Sequence, residues 1–468
     1  MTMARNGFAT ATVSSLLLLF SVNCIMDTEA INIGVNYGTV ANNLPPPTQV
    51  AKFLKENTLI NHVKLFGIDH AIIQAFANTG IALTVAIPND QIPSLRRLAI
   101  ARQWIQINIL PYVYTTKIIR ILVGNEVLHT NDILLAANLI PAMQNLHAVL
   151  IGASLDHQIK VSTPHSLGIL SISTPPSAGR FRRGYTTLVL KPLLSFLRAT
   201  NAPFMINPYP YFGFTPNTLD FALFRPNKGV FDVNTHLTYT NMLDAQLDAI
   251  YSAMKRLGFT DVEIVIAETG WPSIGDPGQI GVSVANAAAY NGNLIRHVNS
   301  GIGTPLMPNQ TFETYIFSLF NENLKLGPTA ERNFGLFRPD FVPAYDIGIL
   351  RSEARMPAPI NPTPLAPINQ VPTNMKQWCL PKANADPRAL QENIDYACGQ
   401  GLDCRPIQIG GACFLPNTIQ AHAAYAMNAY YQSAGRHAYD CDFKQTGAIS
   451  TVDPSMTEAQ SFVSINFF

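Results

Sequence analysis

From Ile31 onward, apolar runs of strand length alternate with longer stretches of helical period, and the alternation repeats as far as residue 350. The expected strands are Ile31 to Tyr37, Val63 to Ile68, Ile81 to Ile87, Ile118 to Asn125, Ile159 to Thr163, Phe204 to Tyr209, Val262 to Glu268 and Tyr315 to Asn321. Apolar residues follow one another in these runs without polar alternation, so each strand is expected to be buried on both faces, as in a parallel sheet covered by helices. Eight of them in one domain point to an α/β fold, the closed (β/α)8 TIM barrel, with a doubly wound open sheet as the alternative. No glycine-rich phosphate turn follows any run, which weakens a nucleotide-binding open sheet.

The flanks read differently. Residues 1–30 carry Arg5, an apolar stretch around Leu16 to Phe20 and a small residue, Ala30, ahead of the first strand, the pattern of a secretory signal. Prolines 357, 359, 362, 364, 367 and 372 mark an extended spacer over 351–377. That leaves a large domain over 31–350 and a small module over 378–468. Five of the six cysteines, Cys379, Cys398, Cys404, Cys413 and Cys441, fall in the module and none in the large domain, so a disulfide-stapled, mainly helical unit in an exported protein is expected, with one thiol left over. Lys plus Arg number 31 against 30 Asp plus Glu, with no basic stripe, so neither nucleic acid nor an anionic membrane is indicated. The chain end, Ser461 to Phe468, is too short for a lipid-anchor signal. A secreted, monomeric protein of the extracellular space or cell wall, with a neutral ligand, is expected.

In a (β/α)8 barrel the chemistry sits where strands end. Several ends carry polar groups: Asn36-Tyr37, Asp69, Asn125-Glu126, His165, Asn207-Pro208-Tyr209, Glu268 and Asn321-Glu322. Two stand apart, because the fourth strand stops at Gly124-Asn125-Glu126 and the seventh at Glu268-Thr269-Gly270-Trp271-Pro272. Each delivers a carboxylate to the same face, and a carboxylate pair across a cleft suits glycosidic cleavage, one protonating the leaving oxygen and the other attacking the anomeric carbon or activating water. A single glutamate at a strand end would ordinarily be a solvated loop residue; two in this setting are not. Trp271 would offer an aromatic face to a sugar ring. Tyr37 and Tyr209 either line the cleft or pack in the barrel.

The motifs IGVNYG ending at Gly38, VGNEV at Val123 to Val127, YTNMLDAQLDA at Tyr239 to Ala249, AETGWPS at Ala267 to Ser273, and FNEN with a following lysine and FGLF between Phe320 and Phe337 resemble plant endo-1,3-β-glucanases of glycoside hydrolase family 17. The resemblance spans Ile31 to Ile349. It implies a retaining hydrolase of 1,3-β-glucan, such as callose or fungal wall glucan, that needs no cofactor or metal. Carried over residue by residue, it implies Glu126 as general acid/base and Glu268 as nucleophile, about 5 Å apart, with Glu322, Lys325 and Glu331 at further active-site positions. Asn125 would bond a sugar hydroxyl or orient its neighbour. One departure stands out: the family usually reads Leu-Tyr-Asp after the second strand, whereas this chain has Leu65-Phe66-Gly67. A wall protein that binds glucan with little turnover is therefore the alternative.

The tail, with Trp378-Cys379, GGAC-F-x-PNT at Gly410 to Thr418 and AYAMNAYYQ at Ala424 to Gln432, resembles a family 43 carbohydrate-binding module. That resemblance implies disulfides Cys379 to Cys441 and Cys398 to Cys404. The family's sixth cysteine is missing, which leaves Cys413 without its partner. Tyr425, Tyr430 or Tyr431, on a helix-like stretch from Ala421 to Tyr431, would stack on sugar or belong to the core.

Overall fold

A computed structural model describes residues 33–351, 377–382, 384–399, 402–408, 410–411, 413–433 and 438–450. The expected signal, the proline-rich spacer and the chain end lie outside the described residues. The chain divides into two compact units.

In the first, the main sheet is built from β1 (Ile33–Tyr37), β2 (His62–Leu65), β3 (Ala82–Ile87), β4 (Ile118–Val123), β5 (Lys160–Ser162), β6 (Pro164–Ser166), β7 (Phe204–Asn207), β8 (Ile264–Thr269) and β9 (Thr314–Ile316). All pairings are parallel, in the order β5-β4-β3-β2-β1-β9-β8-β7-β6. The expected fifth strand is split at Thr163: β5 pairs with β4 through Lys160 to Ser162, and β6 pairs with β7 through Pro164 to Ser166. The two edges of the sheet are thus consecutive pieces of one segment, and the chain closes the barrel. The crossovers carry helices, among them α1 (Pro47–Asn57), α2 (His70–Ala75), α3 (Leu98–Asn108), α4 (Ile133–Gly152), α5 (Lys191–Thr200), α6 (Met242–Arg256) and α7 (Val284–Val298). Local chemistry sets several starts: Asp132 accepts from the Leu135 N–H, Asn241 from that of Asp244 and Ser283 from that of Asn286, satisfying donors the first turn leaves unpaired.

The non-alternating strands are explained by two separate cores. Along β8, Ile264 and Ile266 join the large core between sheet and helices, whereas Val265 and Ala267 join a small cluster with Ala86, Leu122, Met205 and Tyr315 inside the barrel. The interior also holds charge. Arg120 grips Glu313 through two bonds of 2.8 and 3.1 Å, and the Tyr315 hydroxyl donates to Glu313 at 2.7 Å. Burial alone would neutralise Glu313, but Arg120 and these hydrogen bonds overcome it and hold its carboxyl down at about 2. This network lies toward the strands' N-terminal ends and leaves the opposite end open.

In the second unit, β10 (Trp378–Pro381) pairs antiparallel with β11 (Gly447–Ser450), and α8 (Pro387–Gly399) packs on α9 (Ile419–Ser433). Its core is Cys379, Leu390, Ile394, Ala397, Ile407, Ala423, Ala426, Met427, Tyr431 and Cys441. Disulfides join Cys379 to Cys441 and Cys398 to Cys404, the pairing the resemblance implies, and Cys413 is an unpaired, half-buried thiol that burial pushes up. Two staples suit so small a core.

Candidate active site

At the end of β4 the chain turns sharply. Gly124 has φ +74°, and a Cβ there would run into Val127, Asn89 and Ile92. Glu126 itself sits at φ 51°, a left-handed conformation disfavoured for a residue with a side chain. Neighbours impose it: Asn89 donates to the Asn125 carbonyl at 3.0 Å and accepts from its N–H at 2.8 Å, while the Glu126 N–H donates to the Pro164 carbonyl at 3.0 Å. Asn207, at the end of β7, then donates to Glu126 Oε1 at 2.8 Å.

Glu268 reaches the same space by another device. Simple alternation after the inward Val265 and Ala267 would turn Glu268 outward. Between Ile266 and Thr269, however, the register against β9 advances by one residue more on β8 than on its partner, which is a bulge. Bulges re-aim side chains, and here the carboxylate of Glu268 turns into the barrel mouth while Thr269 bonds Tyr290 on α7 at 2.5 Å. Glu268 Oε1 lies 2.8 Å from Lys64 Nζ of β2, with both side chains buried, and Tyr209 donates to Oε2 at 3.1 Å. Burial and the Glu268 and Glu126 carboxylates push the Tyr209 hydroxyl well above its usual range, so it remains a donor.

Glu126 and Glu268 line one cleft of about 780 Å³, together with Asn125, Tyr209, Phe66, Phe212, Glu322, Lys325 and Glu331. Their surroundings differ. Burial, and secondarily the charge of Glu268, raise the carboxyl of Glu126 above the ordinary glutamate range, against the opposing pull of Asn207, His129 and Lys64. Glu268 instead has an ammonium and a phenol on its two oxygens. Of the outer residues, Lys325 pairs with Glu331 at 3.2 Å and lies 4.4 Å from the Phe317 ring centre, and Glu322 accepts from the Val40 N–H at 3.0 Å. Gly38 is required beside Glu322, whose carboxylate a Cβ would overlap.

One expectation is corrected, and two that the sequence left open are decided for the core. Trp271 offers no face to a ligand: it is fully buried, donates to the Gly281 carbonyl at 2.9 Å and packs against Tyr211, Phe214 and Tyr290. Its place beside Glu268 in sequence becomes a supporting place among the rings of Tyr211, Phe214 and Tyr290, off the cleft lining. Trp271→Ala should therefore cost about 3–5 kcal/mol of stability, read as a fall in the denaturant midpoint. Tyr37 is likewise core, 2% exposed and edge-on to Phe320. Tyr431 is fully buried in the second unit, its hydroxyl on Gln377. Tyr425, bonded to the Asp403 carbonyl, and Tyr430, packed edge-to-face with Tyr396 and Phe443, are half-buried.

Lys64 escaped the strand-end search because it lies within β2; a lysine inside an apolar strand was the available signal. Phe66, the departure noted above, lines the cleft with its ring 3.9 Å from Lys64 Nζ and edge-on to Phe317. Around Gly67, by contrast, the space is open.

Comparison with known proteins bears on this arrangement. Residues 33–349 match the profile of the glycosyl hydrolases family 17, and residues 377–448 match the X8 domain. A glucan endo-1,3-beta-glucosidase of Triticum aestivum is 52% identical over 92% of this chain and 94% of its own length. A glucan endo-1,3-beta-D-glucosidase of Olea europaea is 47% identical over 95% of this chain and 96% of its own. Among solved structures, a β-1,3-glucanase and allergen of Cryptomeria japonica pollen superposes with a TM-score of 0.64 at 41% identity, covering 67% of this chain and 98% of that one. With barrel, strand-end carboxylates and relatives matched over most of their length in agreement, the chain belongs to glycosyl hydrolase family 17 and carries an X8 domain later in its sequence.

Proposed function

We propose that this chain hydrolyses internal 1,3-β-glucosidic bonds of 1,3-β-glucans with retention of anomeric configuration, Glu126 serving as acid/base and Glu268 as nucleophile. The observation that carries the reading is the pair of carboxyls in one cleft with opposed surroundings, one raised by burial and by its neighbour's charge, the other held by an ammonium. The names of the relatives support the substrate. Glu268 attacks the anomeric carbon while Glu126 protonates the departing glycosidic oxygen, leaving a glycosyl ester on Glu268. Glu126, now a carboxylate, takes a proton from water as that water's oxygen attacks the same carbon, and Glu268 leaves as a carboxylate. Tyr209 and Asn207 orient the two carboxyls; Lys325, Glu331 and Glu322 line the cleft where glucan units would lie.

The protein acts as a secreted monomer, and its X8 domain holds it on insoluble polymer, raising the effective concentration of substrate without altering the chemistry. Incubation with a soluble 1,3-β-glucan should release new reducing ends. Binding without release would favour the alternative, a glucan-binding wall protein, which the Phe66-Gly67 departure motivates. A chain ending at Pro372 should lose retention on insoluble glucan in a pull-down while still cleaving short 1,3-β-oligosaccharides; loss of both would mean that the two units are coupled.

A further inference from the structure

Between α7 and β9 the chain carries Asn309-Gln310-Thr311, the Asn-X-Thr triplet that N-linked glycosylation requires. It is the one usable triplet of this kind in the sequence, since Asn361-Pro362-Thr363 has proline in the middle. Such a triplet can carry sugar in a folded protein only if the fold leaves the asparagine in solvent. Here it does: Asn309, Gln310 and Thr311 are all exposed, between the buried Met307 and Phe312.

The loop that presents the triplet is held in place. The main chain doubles back, with Gly303 bridged to Pro308 and the Asn309 N–H donating to the Ile302 carbonyl at 2.8 Å. Gly303 permits the reversal at φ +74°, where a Cβ would meet the Met307 carbonyl oxygen. Asp248 of α6 anchors it: the carboxylate accepts from the Leu306 N–H at 2.8 Å, from the Tyr239 hydroxyl at 2.9 Å and from the Thr304 hydroxyl. Asn309 itself sits at φ 58°, a left-handed conformation that asparagine tolerates. Beside it stands an apolar side chain, Ile302, 67% exposed. Ile302 and Pro308 line a second groove, of about 760 Å³, that shares no residue with the active cleft. The loop enters β9 at that strand's N-terminal end, whereas Asn125, Glu126, Tyr209 and Phe317 of the cleft follow the strands' C-terminal ends.

We propose that Asn309 carries an N-linked glycan whose first N-acetylglucosamine lies against Ile302. This rests on export of the chain, as read above. The Asn309 Nδ2 displaces the diphosphate of a polyprenyl-diphosphate oligosaccharide: a bond forms from that nitrogen to the sugar's anomeric carbon, the bond from the carbon to the diphosphate oxygen breaks, and one amide proton is lost. The Thr311 hydroxyl supplies the contact by which the transferase selects the triplet. The sugar is added as the unfolded chain enters the secretory compartment, so the folded structure decides where it then rests. Pairing of the Asn309 N–H with the Ile302 carbonyl sets the two residues side by side, and the apolar face of the pyranose ring takes Ile302 out of water. A glycan there leaves the cleft open to glucan.

The full chain, expressed in plant cells from Met1, should be recovered outside the cells with a glycan on residues 297–325, the tryptic peptide that holds the triplet. Enzymatic release in heavy-oxygen water should convert Asn309 to labelled aspartate. Thr311→Ala should abolish the modification, and Thr311→Ser, which keeps the hydroxyl, should retain it. Thr311→Ala should leave kcat/KM on a soluble 1,3-β-oligosaccharide unchanged and lower the barrel's melting temperature by roughly 1–3 °C. Made in an Ile302→Ser background, the same change should shift melting far less, because the surface that the sugar covers is gone. Exported protein whose peptide 297–325 is unmodified overturns the site, and a melting loss equal in both backgrounds overturns the contact with Ile302. If the chain stays inside the cells, it is export that fails; the chain from Ile31, placed behind another protein's secretory signal, then puts the same question to Asn309.

Discussion

Glu268→Gln should lower kcat on a soluble 1,3-β-glucan by roughly 10⁴-fold or more, because it removes the atom that forms the covalent intermediate. The folded structure should survive. Glu268 accepts from Lys64 on one oxygen and from Tyr209 on the other, and the amide of glutamine keeps one acceptor for the Lys64 ammonium. Glu268→Ala is the harsher change, since it leaves a fully buried lysine without its carboxylate, a situation that costs about 3–5 kcal/mol when a buried pair is broken. Paired melting and activity measurements separate the two effects: glutamine should melt near the wild type yet be inactive, and alanine should melt lower. Turnover retained by the glutamine variant would place the nucleophile elsewhere.

Glu126→Ala should slow hydrolysis of unactivated glucan by about 10²–10⁴-fold, the contribution of general acid–base catalysis. It should slow an aryl β-glucoside oligomer far less, since a good leaving group needs little protonation. Azide should then restore turnover of that substrate and yield the β-glycosyl azide, attack coming from the face that Glu126 vacates. The pH dependence has a definite sign. Burial and the charge of Glu268 raise the Glu126 carboxyl, and the first half of the reaction needs it protonated, so kcat/KM is preserved at low pH and lost as pH rises through that raised value. On the activated substrate the alanine variant should lack this alkaline limb. An unchanged limb would assign it to another group.

The barrel was legible in the sequence because its physical cause is local and repeated: strands buried on both faces must read as continuous apolar runs. What closes the barrel was not legible, since the split at Thr163 depends on which neighbour each half of one segment pairs with. The carboxylates were found because strand ends in this fold carry chemistry, yet no spacing rule says that Glu268 faces inward; the bulge after Ile266 does that. Trp271 was misread because adjacency to a motif in sequence does not place a large ring on the cleft side of the backbone; its ring fills core, as does that of Tyr37, for which the sequence left both places open. Lys64 was passed over because its identity as a lysine says little until its burial and its 2.8 Å approach to Glu268 are known. In the tail the cysteine pairs agree with the resemblance, while Tyr431 belongs to the core that those disulfides enclose.

The stereochemistry of cleavage tests the assignment of Glu268 as nucleophile most directly. Linear 1,3-β-glucan digested in an NMR tube, with the anomeric protons of new reducing ends recorded in the first minutes, should show the β-anomer first, with the α-anomer growing only by mutarotation and a mixture of oligosaccharides as product. If the α-anomer appeared first, water would be attacking the anomeric carbon directly, and Glu268 as nucleophile would be wrong.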